Sequence, residues 1–180
     1  MVGKLQEIDV SISQKLLLDE KQKTLRFFAS LFAHSGDSWF ILPVLFIIWL
    51  ASDGLAHRYS ALFAGAVVVQ ASFVILIKQA VKRSRPEGRW GSVYRNSDPH
   101  SFPSGHAVRV AMITLIAWGL DLSVLKWIFT IWVPLVSFSR VMLGVHYFLD
   151  VAAGWVLGFI LAGIVLNTQA FFYQLLPFIF

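Results

Sequence analysis

His146 and Asp150 stand four residues apart, a spacing that puts both on one face of a helix, about 40° apart and within hydrogen-bonding reach. A carboxylate so placed accepts the Nδ1 proton of the imidazole and leaves Nε2 free as a nucleophile. Upstream, Pro103-Ser104-Gly105-His106 precedes an apolar run in the manner of a helix start. Pro103 closes the loop, Ser104 suits the N-cap, and Gly105 lets an oxyanion approach the backbone, where unpaired N–H groups and the positive helix end bind it. His106 arrives at the same place, suited to protonating a leaving oxygen near neutral pH. Lys78, Arg85, Arg109 and Arg140 add four cations to these two imidazoles and one carboxylate. Such a set suits a doubly charged phosphate. Pro86 disfavours helix at Arg85, so Arg85 is expected to leave the helix of Lys78 as a separate arm.

The elements that must carry these groups are those of a membrane protein. The chain has 180 residues, 57% hydrophobic and only 14% charged, where soluble domains run near a quarter charged. Five apolar runs, roughly 39–56, 60–81, 105–120, 122–139 and 146–168, approach the ~20 residues that cross a ~30 Å hydrocarbon layer. Short loops after the first, third and fourth runs make neighbouring helices antiparallel. Counting connections then places the end of the second run, the start of the third, the end of the fourth and the start of the fifth at one membrane face. The chemically capable residues converge there.

The predicted fold is all-α: an integral-membrane bundle of five to six transmembrane helices forming one domain over 1–180. Residues 1–36 form an amphipathic, interfacial N-terminal region, in which Leu5, Ile8, Ile12 and Leu16 recur at helical spacing, as in a helix lying on the membrane surface. Leu25 to Ala33 is apolar but too short to span alone. Residues 82–104 form a long polar loop rich in Gly, Pro and Arg, expected to belong to the active site. Gly154, Gly158 and Ala162 recur every four residues, a stripe that permits close helix contact in lipid. Without cysteines there are no disulfides, thiol nucleophiles or Cys-based metal sites. The first twenty residues lack the apolar core of a cleavable signal peptide. A net charge of +5 interleaved with membrane-length runs points to anionic lipid headgroups and not to nucleic acid.

Lys78-x6-Arg85-Pro86, then Pro103-Ser104-Gly105-His106, then Ser139-Arg140-x5-His146-x3-Asp150 resembles the complete three-part signature of the type 2 phosphatidic acid phosphatase superfamily. The resemblance spans residues 78–150 with no departure, and order and spacing make it far more specific than a lone short motif. It implies that His146 is the nucleophile, Asp150 its orienter, and His106 first the acid for the leaving lipid alcohol and then the base towards water. Lys78, Arg85, Arg140 and the Ser104 and Gly105 amides would hold the equatorial phosphate oxygens, with no cofactor and no metal.

The implied activity is hydrolysis of a membrane lipid phosphomonoester or diphosphate through a phosphohistidine. Undecaprenyl diphosphate, phosphatidylglycerophosphate, phosphatidate and lipid A 1-phosphate are the candidate substrates. A phosphotransferase using the same intermediate, or a non-enzymatic lipid transporter, are the alternatives. Arg109, one turn beyond His106, is expected to contact a second phosphate or sugar of the headgroup. Lys82 and Arg83 read as interfacial anchors and His34, His57 and His100 as loop residues; Asp98 and His100 lie close enough to Pro103-Ser104-Gly105-His106 to line the pocket but are not counted among the site residues. The expected location is a bacterial cytoplasmic membrane. An outward-facing site follows if the segment before Gly36 crosses as a sixth helix and sets the N-terminus and the site on opposite faces.

Overall fold

Helical periodicity in the sequence becomes seven helices in the computed structural model, which describes residues 2–87 and 98–180. They are α1 (Val2–Leu16), α2 (Lys23–Ser35), α3 (Ser38–Ala51), α4 (Gly54–Val81), α5 (Gly105–Gly119), α6 (Ser123–Met142) and α7 (Phe148–Leu175). Residues 88–97 of the 82–104 loop lie outside the described part. An isolated antiparallel bridge between Ser84 and His100 joins the two ends of that loop. It is reinforced where the Ser101 amide donates to the Arg83 carbonyl at 2.8 Å.

At the centre stands α5, whose residues from Ala107 to Ala117 are almost all buried. It is apolar but only 15 residues long, about 22 Å at 1.5 Å per residue, and it is walled by the other helices. The small-residue stripe of α7 lets the two helices touch. A Cβ on Gly158 would lie 2.5 Å from the Val108 carbonyl oxygen, and one on Gly154 would lie 2.8 Å from Ala107 Cβ. Gly154, Gly158 and Ala162 are all buried. Outward, Phe46, Ile47, Leu76, Ile131 and Phe159 are exposed, which makes an apolar outer wall suited to lipid.

Three helices, α4, α6 and α7, are long and apolar enough to cross a membrane; α2 and α3 together make a fourth, broken segment bent by 51°. The chain is thus an all-α integral-membrane protein. The first apolar run of the sequence turns out to be a 14-residue helix, which reaches membrane length only together with α2. The segment before Gly36 is therefore no separate sixth crossing: α2 packs along α6 and forms one bent unit with α3. As a consequence α1 sits at the same end as His146, with the Leu18 amide donating to the Met142 carbonyl at 3.0 Å. The N-terminus and the site share one end, so the reason given for an outward-facing site no longer holds. On α1 itself Leu5, Ile8 and Ile12 are exposed, while Asp9 and Ser13 are buried against the bundle.

Candidate active site

The turn between α6 and α7 carries His146. The Val145 and His146 amides both donate to the Arg140 carbonyl, at 3.0 and 3.2 Å, which wraps the chain tightly past the end of α6. Gly144 has φ +68° and a Cβ there would meet Leu17 at 2.9 Å, so the turn needs glycine on both counts. Arg140 in the last turn of α6 and His146 beyond it are both buried.

Arg85 fixes the state of the imidazole. Its guanidinium Nη1 donates to the Val145 carbonyl at 2.9 Å and lies 3.3 Å from His146 Nε2. A guanidinium can only donate, so Nε2 accepts and the ring proton sits on Nδ1. Nδ1 faces Asp150 Oδ2 at 3.5 Å, longer than a formed hydrogen bond, and it tightens if the ring moves a few tenths of an ångström towards α7. Burial drives the His146 pKa well below the ordinary histidine value, and the charges of Arg85, Arg140 and Lys78 push the same way against Asp98. With ring-15N-labelled histidine, the resonance lost in His146→Ala should therefore remain neutral through pH 6.5 and titrate only below it. Titration at or above that value would contradict the buried, cation-lined environment.

The phosphate-type cations meet around an internal anion. Lys78, in the last turn of α4, pairs its ammonium with Asp98. Arg85 donates Nη2 to Asp98 Oδ2 and Nε to the Asp98 carbonyl, both at 2.7 Å. Burial alone would raise the Asp98 pKa, but the Lys78 hydrogen bond and the charges of Lys78 and Arg85 hold it below the ordinary value. Its carboxylate bridges the two cations beside His146.

The second imidazole comes from the start of α5. Ser104 is the N-cap, its hydroxyl facing the Ala107 amide at 3.5 Å, and its own amide donates to the Asp150 carbonyl at 3.0 Å. That bond ties the start of α5 to the start of α7. His106 Nε2 meets Asp37 Oδ1 at 2.5 Å, and Asp37 also receives His34 Nδ1 and Trp39 Nε1, each at 2.9 Å. Asp37 sits at the α2–α3 break, and Gly36 allows that break to press in: a Cβ there would lie 2.9 Å from Val136 and 3.2 Å from the His106 ring. The charge of Arg140 acts on both imidazoles. Arg109 is buried and donates to the Gly36 carbonyl at 2.6 Å.

The structure thus brings Lys78, Arg85 and His146 into one cluster, joins Ser104 to Asp150, and sets His106 beside the α2–α3 break. Four groups given no catalytic part in the sequence reading belong to it: Asp37 on His106, Asp98 between the cations, and Asp9 with Arg83 on Asp150. Arg83 is more than an interfacial anchor, since its Nη1 donates to Asp150 Oδ1 at 2.7 Å. A faint signal existed in Gly36-Asp37, a glycine and an N-cap carboxylate before an apolar run. Another lay in Asp9 and Ser13, a polar pair at i, i+4.

Comparison with known proteins bears on the family and the fold. Residues 58–173 match the PAP2 superfamily. The chain is 36% identical over 141 residues to decaprenylphosphoryl-5-phosphoribose phosphatase of Mycobacterium tuberculosis, covering 74% of each chain. It is 45% identical over 123 residues to undecaprenyl-diphosphatase of Sulfolobus acidocaldarius, covering 62% of this chain and 58% of that one. Among solved structures, the transmembrane PAP2-type phosphatidylglycerolphosphate phosphatase of Bacillus subtilis superposes with a TM-score of 0.74 at 25% identity, over 93% of this chain and 87% of that one. Aquifex aeolicus LpxE gives 0.67 at 22% identity, over 88% and 94%, and so shares the fold.

Proposed function

The chain belongs to the PAP2 superfamily, and from that membership and the geometry of the site we propose that it hydrolyses a phosphate ester or anhydride on an isoprenoid membrane lipid through a phosphohistidine on His146. The observation that carries the reading is Asp98: Lys78 and Arg85 already close on a carboxylate beside the nucleophile. A substrate phosphate brings the same oxygens with more charge, takes over the two cations, and releases Nε2 from Arg85.

His146 Nε2 then attacks the terminal phosphorus and its bond to the leaving oxygen breaks, the lipid alcohol leaving from an ester and the lipid monophosphate from an anhydride. His106 supplies the proton that the departing oxygen needs, with Asp37 stabilising the charged ring before transfer. In the second half water attacks the phosphohistidine, His106 takes the water proton, and the P–N bond breaks to give inorganic phosphate. Arg140, Lys78, Arg85 and the Gly105 amide hold the oxygens whose charge grows in each transition state; the Ser104 amide, expected among them, is taken by the Asp150 carbonyl. Preorganised donors of this kind are worth about 3 kcal/mol each.

The isoprenoid class rests on the two curated relatives, both named for polyprenyl substrates. Its test is phosphate release from a panel of undecaprenyl diphosphate, phosphatidylglycerophosphate, phosphatidate and lipid A 1-phosphate in mixed micelles, with His146→Ala as the blank. Polyprenyl substrate should turn over fastest; preference for a glycerolipid would reassign the substrate while leaving the chemistry. Arg109 supports the α2–α3 break in this reading. Arg109→Ala should therefore slow a lipid substrate and phenyl phosphate alike. A loss confined to the lipid would restore Arg109 to the headgroup.

A further inference from the structure

The N-terminal helix reaches the catalytic turn through a chain of buried polar contacts that the three signature motifs do not include. The first amides of any helix lack partners within it. In α7 two of them are satisfied from α1: the Phe148 amide donates to Ser13 Oγ and the Leu149 amide to Asp9 Oδ1, each at 2.9 Å. The other oxygen of Asp9 pairs with Arg83 Nη2. Arg83 Nη1 in turn holds Asp150 Oδ1 at 2.7 Å, and its guanidinium lies 4.2 Å over the Tyr147 ring. Asp9 and Asp150 are both fully buried, 1% and 0% exposed. One guanidinium therefore serves two buried carboxylates, and the positive end of α7 offsets the remaining negative charge.

This arrangement decides how Asp150 is used. With Oδ1 committed to Arg83, Oδ2 is the oxygen left for the Tyr147 amide at 2.9 Å and for His146 Nδ1 at 3.5 Å. Arg83 can hold that oxygen only while its own plane is fixed, and the fork of Arg83 is fixed at its far prong by Asp9. We propose that Asp9, on α1, is a positioning residue for the nucleophile: acting through Arg83 and Asp150, it keeps the proton of His146 on Nδ1 and the lone pair on Nε2. The consequence for catalysis rests on the phosphohistidine reading; the consequence for the ring proton does not.

Asp9→Asn keeps an oxygen for the Leu149 amide and removes the charge that anchors Arg83. It should lower kcat by about 10- to 100-fold, the usual effect of losing a partner that orients a reacting group, with KM for the lipid unchanged. Arg83→Lys should show the same split, and the double variant should lose no more than the worse single, as expected for groups acting in one chain of contacts. Ser13→Ala removes a neighbouring cap without touching Arg83, so its cost should fall on stability and kcat per folded protein should stay within about twofold of the parent. The second readout is the pair of ring-15N shifts of His146 with inorganic phosphate bound, which draws Arg85 off Nε2 and leaves Asp150 to hold the ring proton. The parent should show an Nδ1–H ring, and Asp9→Asn should raise the Nε2–H population.

An unchanged kcat per folded protein, fully additive losses, or unchanged ring-nitrogen shifts in Asp9→Asn would each overturn the proposal. Should Asp9→Asn not fold, Arg83→Gln leaves the α7 caps in place and carries the same two measurements. If the parent protein releases no phosphate from any lipid, or His146→Ala matches it, the phosphatase reading fails instead. The ring-nitrogen shifts then still decide the role of Asp9.

Discussion

Alanine at position 146 should end phosphate release, lowering kcat/KM by about 10⁴- to 10⁶-fold, the range found when a nucleophile working in a hydrogen-bonded unit is deleted. The size follows from the pathway that is lost. Without Nε2 the phosphoryl group can leave only by direct attack of water, which the site is not built to position. The cations and amides remain, so substrate binding should change little. Two measurements check this: initial rates with 32P-labelled lipid, and acid-labile, base-stable label on the protein after quenching. Label on His146→Ala, or a loss below a hundredfold, would move the nucleophile to another residue.

His106→Ala should give the second largest effect, about 10²- to 10⁴-fold on an alkyl phosphate, the contribution of a positioned acid or base. Its signature is more specific than its size. An aryl phosphate has a leaving group that departs without a proton, so the first half of the reaction survives the substitution. The second half still needs a base for water. Phosphoprotein should therefore accumulate when His106→Ala is given p-nitrophenyl phosphate, with a burst of nitrophenol close to one per active site. Asp37→Asn should move in the same direction by a smaller factor, because it leaves the imidazole and removes only the carboxylate 2.5 Å from it. No burst and no label would place His106 outside the proton transfers.

These two predictions draw on different parts of the molecule. His146 is defined by its own turn and by α7. His106 depends on the α2–α3 break, where Gly36 and Asp37 approach from outside the signature motifs. On the proposed mechanism a lesion in the N-terminal third of the chain should act on either half of the site, Asp9 through His146 and Asp37 through His106.

Much of this was legible along the chain because it is local. Since lipid demands long unbroken helices with internally paired backbones, apolar runs of helical length located α5 and α6 to within a few residues; they missed the first six residues of α4 and the last seven of α7. His146 and Asp150 are four apart, and Ser104, Gly105 and His106 sit at a helix start, so their proximity follows from helix geometry alone. What periodicity could not reach are the contacts between distant segments: Asp9 with Arg83, 74 residues apart, Arg83 with Asp150, 67 apart, and His106 with Asp37, 69 apart. The same blindness turned α2 and α3 into a short surface segment and a separate span, when packing against α6 makes them one bent unit. Helix existence is set by nearest neighbours and the solvent. Which buried carboxylate finds which cation is set by how the finished helices stack, and only there do the burial of charge and the demand for a partner make the choice.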